Sequence, residues 1–299
     1  MIYTVTLNPA LDYVIQVPQF RVGQINRMTS EHIYYGGKGI NVSIILNELG
    51  VETCALGFVA DFTGRELETG LNRLGIRTDF VHVKEGMTRI NVKMKSEEET
   101  EINGQGPKVT KKDFLDLLEK VRAIPAGDTI VVSGNIPSFM PSDSYERLLE
   151  QVQPGVRIVV DAEKDLLIST LRFHPFVIKP NIDELSVMFD TKIQTRQEIV
   201  HYAKALQSKG AENVLVSMAG QGSMLIDEQG QTVIQPAAEG TVVNSVGAGD
   251  SMVAGFIAGY LRKKDYAYAQ KLGASAGAAT AFHSGLATKE QIDEVFKTL

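Results

Sequence analysis

A single cysteine, Cys54, occurs in 299 residues. That excludes a disulfide framework and any multi-thiolate metal site, and it fits a reducing cytoplasm. No apolar run approaches the ~20 residues that span a bilayer. The chain opens directly as a strand, MIYTVTLNPALD, with no basic segment leading into an apolar one. No secretory signal is read, and a cytoplasmic location is expected. The five histidines (His32, His82, His174, His201 and His283) show no ligand spacing, which argues against a histidine metal centre. Basic residues are not in excess: 30 Lys+Arg against 36 Asp+Glu give a net charge of −6. That argues against a non-specific nucleic-acid binder but leaves room for a local phosphate pocket. No G-x-G-x-x-G completes itself, since Met252 follows Gly247 and Gly249 where glycine is needed, and a dinucleotide site is disfavoured.

What is present is ordinary for a globular enzyme-sized chain. Hydrophobic residues make up 43% and charged residues 22%, which rules out disordered and fibrous classes. Twenty-seven glycines against 10 prolines suit many tight turns between strands and helices. Strand-like runs at 2–7, 53–59, 129–132, 157–160, 176–178 and 214–217 alternate with helix-like segments at 40–49, 63–74, 110–122, 143–152, 163–171 and 196–209. In 110–122, Phe114, Leu117, Leu118 and Val121 share one face. Segments 222–227 and 231–235 read as a hairpin, and everything after 248 as helix. Such alternation predicts a mostly parallel sheet with helices on both faces. Residues 13–36 and 87–106 break the rhythm with alternating, helix-free runs. They predict a small separate β-sheet, a lid built from two insertions; edge strands of the main sheet are the alternative.

Four motifs carry chemistry. In Asn244-Ser245-Val246-Gly247-Ala248-Gly249-Asp250, a strand-like run at 241–243 gives way to small residues and then a helix. Backbone N–H groups of Gly247, Ala248 and Gly249 would converge at the positive end of that helix, an anion site. Asp250 in the first turn could accept a proton from a hydroxyl attacking a phosphoryl group held there. A plain capped helix explains the same residues. In Gly36-Gly37-Lys38-Gly39-Ile40-Asn41, Lys38 can reach a phosphate and Asn41 sugar hydroxyls, although Gly39 after the lysine rules out a Walker A loop. A glycine turn with a solvated lysine is the alternative. Asp12, just after the first strand, stands where α/β sheets gather ligands, or is an ordinary turn aspartate. In Lys179-Pro180-Asn181-Ile182-Asp183-Glu184, the spacing is that of a capping box, while Glu184 could also orient hydrated magnesium. Gly273-Ala274-Ser275-Ala276-Gly277 matches a nucleophile elbow but sits in a helical run, so a serine nucleophile is rejected.

Taken in order, NPALD, GGKGIN, KPN-x-x-E and VGAGD resemble the PfkB or ribokinase-like sugar kinases over essentially the whole chain. TLNPALD, TRINVKM, ETEINGQGP and NSVGAGDSMVAGF are similar to the bacterial 1-phosphofructokinase branch, with tagatose-6-phosphate kinases as near relatives. The resemblance implies a ribokinase-like three-layer α/β/α core (1–12, 37–86 and 107–299) and a β lid (13–36 and 87–106) that serves as a homodimer interface. It implies transfer of the ATP γ-phosphoryl group to a ketohexose phosphate, fructose 1-phosphate to fructose 1,6-bisphosphate, with Mg2+ as cofactor. From the acidic balance and the lack of a membrane-length apolar run, no nucleic-acid or membrane partner is expected.

Carried over by residue, Asp250 would be the base, at an ordinary low pKa that a loose transition state tolerates. Gly247, Ala248 and Gly249 would stabilise the transferring group. Asp12, Gly37 and Asn41 would bind the sugar. Lys38 and Arg89 would hold its phosphate, with Asn91, Asn103, Ser133, Gly134 and Asn135 nearby. Lys179, Asn181, Ser217, Gly220 and Gly222 would line the nucleotide groove, Ser275 and Ala279 would flank adenine, and Glu184 would act on magnesium through water. Asn244-Ser245-Val246 departs from the family's usual Asp-Thr, which puts in doubt an upstream aspartate's role in ordering metal. A non-catalytic sugar-phosphate sensor with the same fold is the reading from another class.

Overall fold

The computed structural model describes residues 1–299. The central sheet has its middle in β1 (Ile2–Thr6), flanked by β9 (Thr129–Ser133) on one side and β4 (Thr53–Val59) on the other, all parallel. Beyond β9 come β10 (Arg157–Asp161), β11 (Val177–Ile178) and β12 (Asn213–Ser217), also parallel. The hairpin β13 (Ser223–Ile226) and β14 (Thr232–Gln235) closes that edge antiparallel; β5 (Arg77–Thr78) and β6 (Val81–His82) pair with β4 at the other.

Strand residues alternate between two cores, as a period of two requires. Ile130 and Val132 pack with Val5, Ile158 and Val160 under α3 (Lys111–Arg122), α4 (Ser144–Leu149), α5 (Lys164–Thr170), α6 (Ile182–Met188) and α7 (Arg196–Ser208). Val131 and Val159 face the opposite way, toward α1 (Lys38–Glu48), α8 (Ala248–Lys263), α9 (Tyr266–Ala281) and α10 (Lys289–Thr298). A third cluster lies under α2 (Asp61–Arg73), where Leu67 and Leu71 meet Ile40 and Val59. The expected three-layer α/β/α core is therefore present. No helix is long and apolar enough to cross a membrane.

The two irregular segments form a separate four-stranded sheet in the order β3 (Ser30–Gly36), β2 (Ala10–Gln16), β7 (Arg89–Lys95), β8 (Thr100–Asn103). Its boundary differs from expectation: β2 begins at Ala10, so Asp12 belongs to the small sheet and not to the core segment 1–12. Pro9 supplies the break between β1 and β2, since it has no N–H for a ladder.

The run at 241–243 is not a strand. Val242 and Val243 are exposed, and the N–H groups of Val243 and Asn244 both donate to the Ala281 carbonyl at the end of α9.

The chain winds from β1 toward β4 and β5, then returns to the other side of β1 through β9. That reversal opens a crevice at the carboxyl ends of β1 and β9, where open α/β sheets bind ligands.

Candidate active site

A cavity of about 530 Å³ occupies this crevice. Its floor comes from strand ends: Thr6 of β1, Ser133 of β9, Asp161 of β10 and Lys179 just after β11. Its walls are the N-termini of α1 (Gly37, Lys38) and α8 (Gly247, Gly249), and its roof is the small sheet, through Asp12, Arg89, Asn91 and Lys93. A second cavity of about 340 Å³ extends beneath the small sheet and shares Asp12, Asn41, Lys93 and Val246 with the first. The early lysine and the late aspartate thus face one space, although over 200 residues separate them.

Local structure explains why these groups are aimed inward. Gly247 caps α8 with φ 80°, a left-handed value that favours glycine, and a Cβ there would lie 2.7 Å from Leu286. Gly37 caps α1 with φ 117°, where a Cβ would lie 2.7 Å from Thr6. The amides of Gly247, Gly249 and Asp250 have no carbonyl partner, whereas Ala248 donates to the Ser245 carbonyl. Two helix N-termini therefore present free N–H groups and partial positive charge to one cavity. A Cβ on Gly249 would lie 3.3 Å from Lys179 Nζ, so the ammonium stands beside the α8 terminus.

Asp250 is 6% exposed and accepts one hydrogen bond, from Asn41 Nδ2 at 2.8 Å. Burial, and then the nearby Asp161 carboxylate, push its pKa up to about 7, against the pull of Asn41, Lys38 and Lys179. The expectation of an ordinary low pKa is corrected, because depth in the sheet and a like charge both penalise ionisation. Burial opposes ionisation of Asp161 too, but Lys179 at 3.3 Å and Lys38 at 3.8 Å outweigh it and hold that carboxyl below the usual range. For Lys38, burial pulls the pKa down and Asp161, Asp250 and Glu184 more than reverse it.

The other expected residues divide into those that reach the cavity and those that do not. Asp12 accepts from Asn91 Nδ2 at 2.8 Å, and Arg89 Nε donates to the Asn8 carbonyl at 3.1 Å. Asn135, Asn181 and Glu184 line the cavity. Asn181 and Glu184 form the capping box: each side chain accepts the other's backbone N–H. Asn103 lies opposite Asn91 on β8, exposed and outside the cavity wall. Ser217 neighbours Asn181 through an isolated bridge, with Gly220 exposed in the following turn. Gly222 has φ 93° and no room for a Cβ, which would lie 2.1 Å from the Gln235 carbonyl; its place is structural.

Three expectations are corrected. The Ala248 amide is taken by Ser245, so this residue is not part of the anion hole. Ser275 and Ala279 are fully buried in α9; Ser275 Oγ donates to the Lys271 carbonyl, and neither residue lines either cavity. The small residues that suggested a ligand-facing helix instead let α8 and α9 pack closely: a Cβ on Gly255 would lie 2.6 Å from the Leu272 carbonyl.

Sequence reasoning missed Asp161, Lys93 and Thr6. Asp161 had only its position after an apolar run, IVVD, as a signal. Lys93 stands 3.8 Å from Asp12 and 3.5 Å from Glu101, and was legible only as an inward residue of an alternating strand.

A parallel-sheet crevice with a buried carboxylate, lysines and free helix-terminal amides is the architecture of a phosphotransferase acting on an alcohol. Residues 5–293 match the pfkB family of carbohydrate kinases, and the chain belongs to that family. It is 45% identical over 296 residues to the 1-phosphofructokinase of Bacillus subtilis, covering 99% of this chain and 97% of that one. It is 36% identical over 296 residues to the D-tagatose-1-phosphate kinase of Bacillus licheniformis, covering 98% and 97%. The solved structure of phosphofructokinase-2 from Escherichia coli in complex with substrates and products superposes with a TM-score of 0.92 at 25% identity, covering 99% and 98%.

Proposed function

We propose that this chain transfers the γ-phosphoryl group of ATP to the C6 hydroxyl of fructose 1-phosphate, giving fructose 1,6-bisphosphate. The observation that carries the reading is the convergence of Asp250, Lys38 and the α8 terminus on one cavity. Asp250 takes the hydroxyl proton, and a carboxyl titrating near 7 suits a general base. The new bond joins the sugar oxygen to the γ-phosphorus; the bond from that phosphorus to the β-bridging oxygen breaks, and ADP leaves. Amides of Gly247 and Gly249 meet the charge on the transferring group. Lys38 and Arg89 neutralise the sugar's resident phosphate, while Asp12, Asn41 and Asn91 hold its hydroxyls. Lys179 and Asn181, with Ser217 and Gly220 alongside, receive the nucleotide.

Magnesium fits as a hydrated ion carried on the phosphates. No three acidic or histidine side chains cluster to cage a bare cation. Glu184 commits one oxygen to the Asn181 amide and keeps the other for a bound water. Bound there, the ion would neutralise phosphate charge.

The small sheet closes over the crevice and pairs with a second copy. Its strands and the loop before β3 expose Val22 (89%), Ile25 (90%) and Ile102 (64%). Apolar groups this exposed on an open sheet call for a cover.

The second reading, favoured by the tagatose kinase relative, is a tagatose phosphate, which differs by the configuration of one hydroxyl. ADP formation measured on fructose 1-phosphate, fructose 6-phosphate, tagatose 1-phosphate and tagatose 6-phosphate tests both. The highest kcat/KM is expected on fructose 1-phosphate. Binding without turnover on all four would make the chain a sensor and sink the kinase reading.

A further inference from the structure

Two carboxylates share the cavity floor, and the cations around them are unequally divided. Asp161 is 1% exposed and stands 3.3 Å from Lys179 Nζ and 3.8 Å from Lys38 Nζ. Neither of its oxygens makes a hydrogen bond of good geometry. Asp250 has no lysine within ion-pair distance; its donor is the neutral amide of Asn41, and the Asp161 carboxyl stands beside it. We infer that Asp161 is a positioning residue for phosphoryl transfer: it gathers both lysine ammonium groups and so leaves Asp250 uncapped, free to accept the hydroxyl proton. The inference rests on Asp250 being the base and goes beyond it.

The physical argument is competition for counter-charge. An ammonium within about 4–6 Å lowers a carboxyl pKa by about 1–3 units and weakens it as a base. Asn41 and Lys38 face Asp250 from α1, Asp161 from β10, and Lys179 from the end of β11. Tyr145 of α4 faces Asp161, and Glu163 and Glu184 face Lys38. Without Asp161, the buried Lys179 ammonium and the half-buried Lys38 ammonium lose their nearest anion, and Asp250 is the carboxylate left beside them. Uncompensated buried charge is costly, so the lysines turn toward it. The raised pKa of Asp250, with Asp161 as its second cause, fits this division.

The test is the pH dependence of kcat/KM for fructose 1-phosphate at saturating ATP. The acid limb of the unmodified enzyme is expected near pH 7. In Asp161→Asn the limb should move down by about one unit or more, because a like charge is gone and the lysines now face the base. In Lys179→Met, which removes a cation but keeps Asp161, the limb should move up. The substrate's own phosphate titration is common to all three enzymes and cancels in the differences. A lowered plateau with an unmoved midpoint in Asp161→Asn means a structural role only and overturns the inference. If that variant does not fold, an unmoved or lowered midpoint in Lys179→Met overturns it. Asp250→Asn separates this from the parent reading. A near-normal rate there removes the base itself, whereas a dead Asp250→Asn with an unmoved Asp161→Asn limb removes only the role of Asp161.

Discussion

Asn41 Nδ2 lies 2.8 Å from Asp250 Oδ2 and ties the first turn of α1 to the first turn of α8 across 209 residues of chain. One neutral donor holds Asp250 at the cavity wall, where its other neighbour is the Asp161 carboxyl. The bond fixes the rotamer without supplying the charge that would make the carboxylate a poor base.

Asp250→Asn is therefore expected to fold and to lose at least about a hundredfold in kcat, the usual worth of a positioned acid–base group. ADP release with fructose 1-phosphate measures it, and a rate within a few-fold of normal contradicts the assignment. The same variant tests the buried charge. A carboxyl whose folded pKa is about 7 against an unfolded 3.8 contributes stability below pH 4 that is lost as pH rises through 7. Asp250→Asn should thus melt above the unmodified protein at pH 8, with the gap closing toward pH 4. Melting at or below it at pH 8 would show that the carboxylate is not penalised.

Lys38→Ala and Arg89→Ala should raise KM for the phosphosugar by about 10-fold or more each, as expected when a charged hydrogen bond is removed. KM for ATP should change little. Equal damage to both substrates in steady-state kinetics contradicts their placement at the resident phosphate.

Gly36→Ala probes the sugar side. A Cβ there would lie 2.4 Å from Asp12 Oδ2, so the carboxylate must turn and release Asn91. KM for the sugar should rise while the melting temperature holds. An unchanged KM means Asp12 does not touch substrate.

Tyr145→Phe removes a fully buried hydroxyl that donates to the Gly134 carbonyl at 2.9 Å and anchors the loop after β9. Denaturant unfolding should show a loss of about 1–2 kcal/mol from the unpaired carbonyl. No loss would mean water replaces the hydroxyl.

If the small sheet pairs two copies as proposed, Val22→Asp with Ile25→Asp should sediment as monomers at concentrations where the unmodified chain sediments as a dimer. The change comes from charging an interface that needs apolar contact. An unmodified chain that is already monomeric refutes the proposed pairing.

Much of this molecule is legible in its sequence. Apolar strands alternating with helices implied a parallel sheet, because a strand covered on both faces carries no polar side. Alternating segments at 13–36 and 87–106 implied the small sheet. The capping box at Asn181 was explicit in its spacing and is formed. Each of these follows from periodicity or local hydrogen bonding, which a linear sequence records directly.

Tertiary structure alone decided which charges meet. The register that sets Val159 beside Val177 brings Asp161 next to Lys179, and no local pattern marks that pair. Close packing of α8 on α9 buried Ser275 and Ala279 away from both cavities, and the Ser245 carbonyl took the Ala248 amide. The titration of Asp250 near 7 likewise belongs to its surroundings. Burial and neighbouring charge are properties of position in space, and residues far apart in the chain set them.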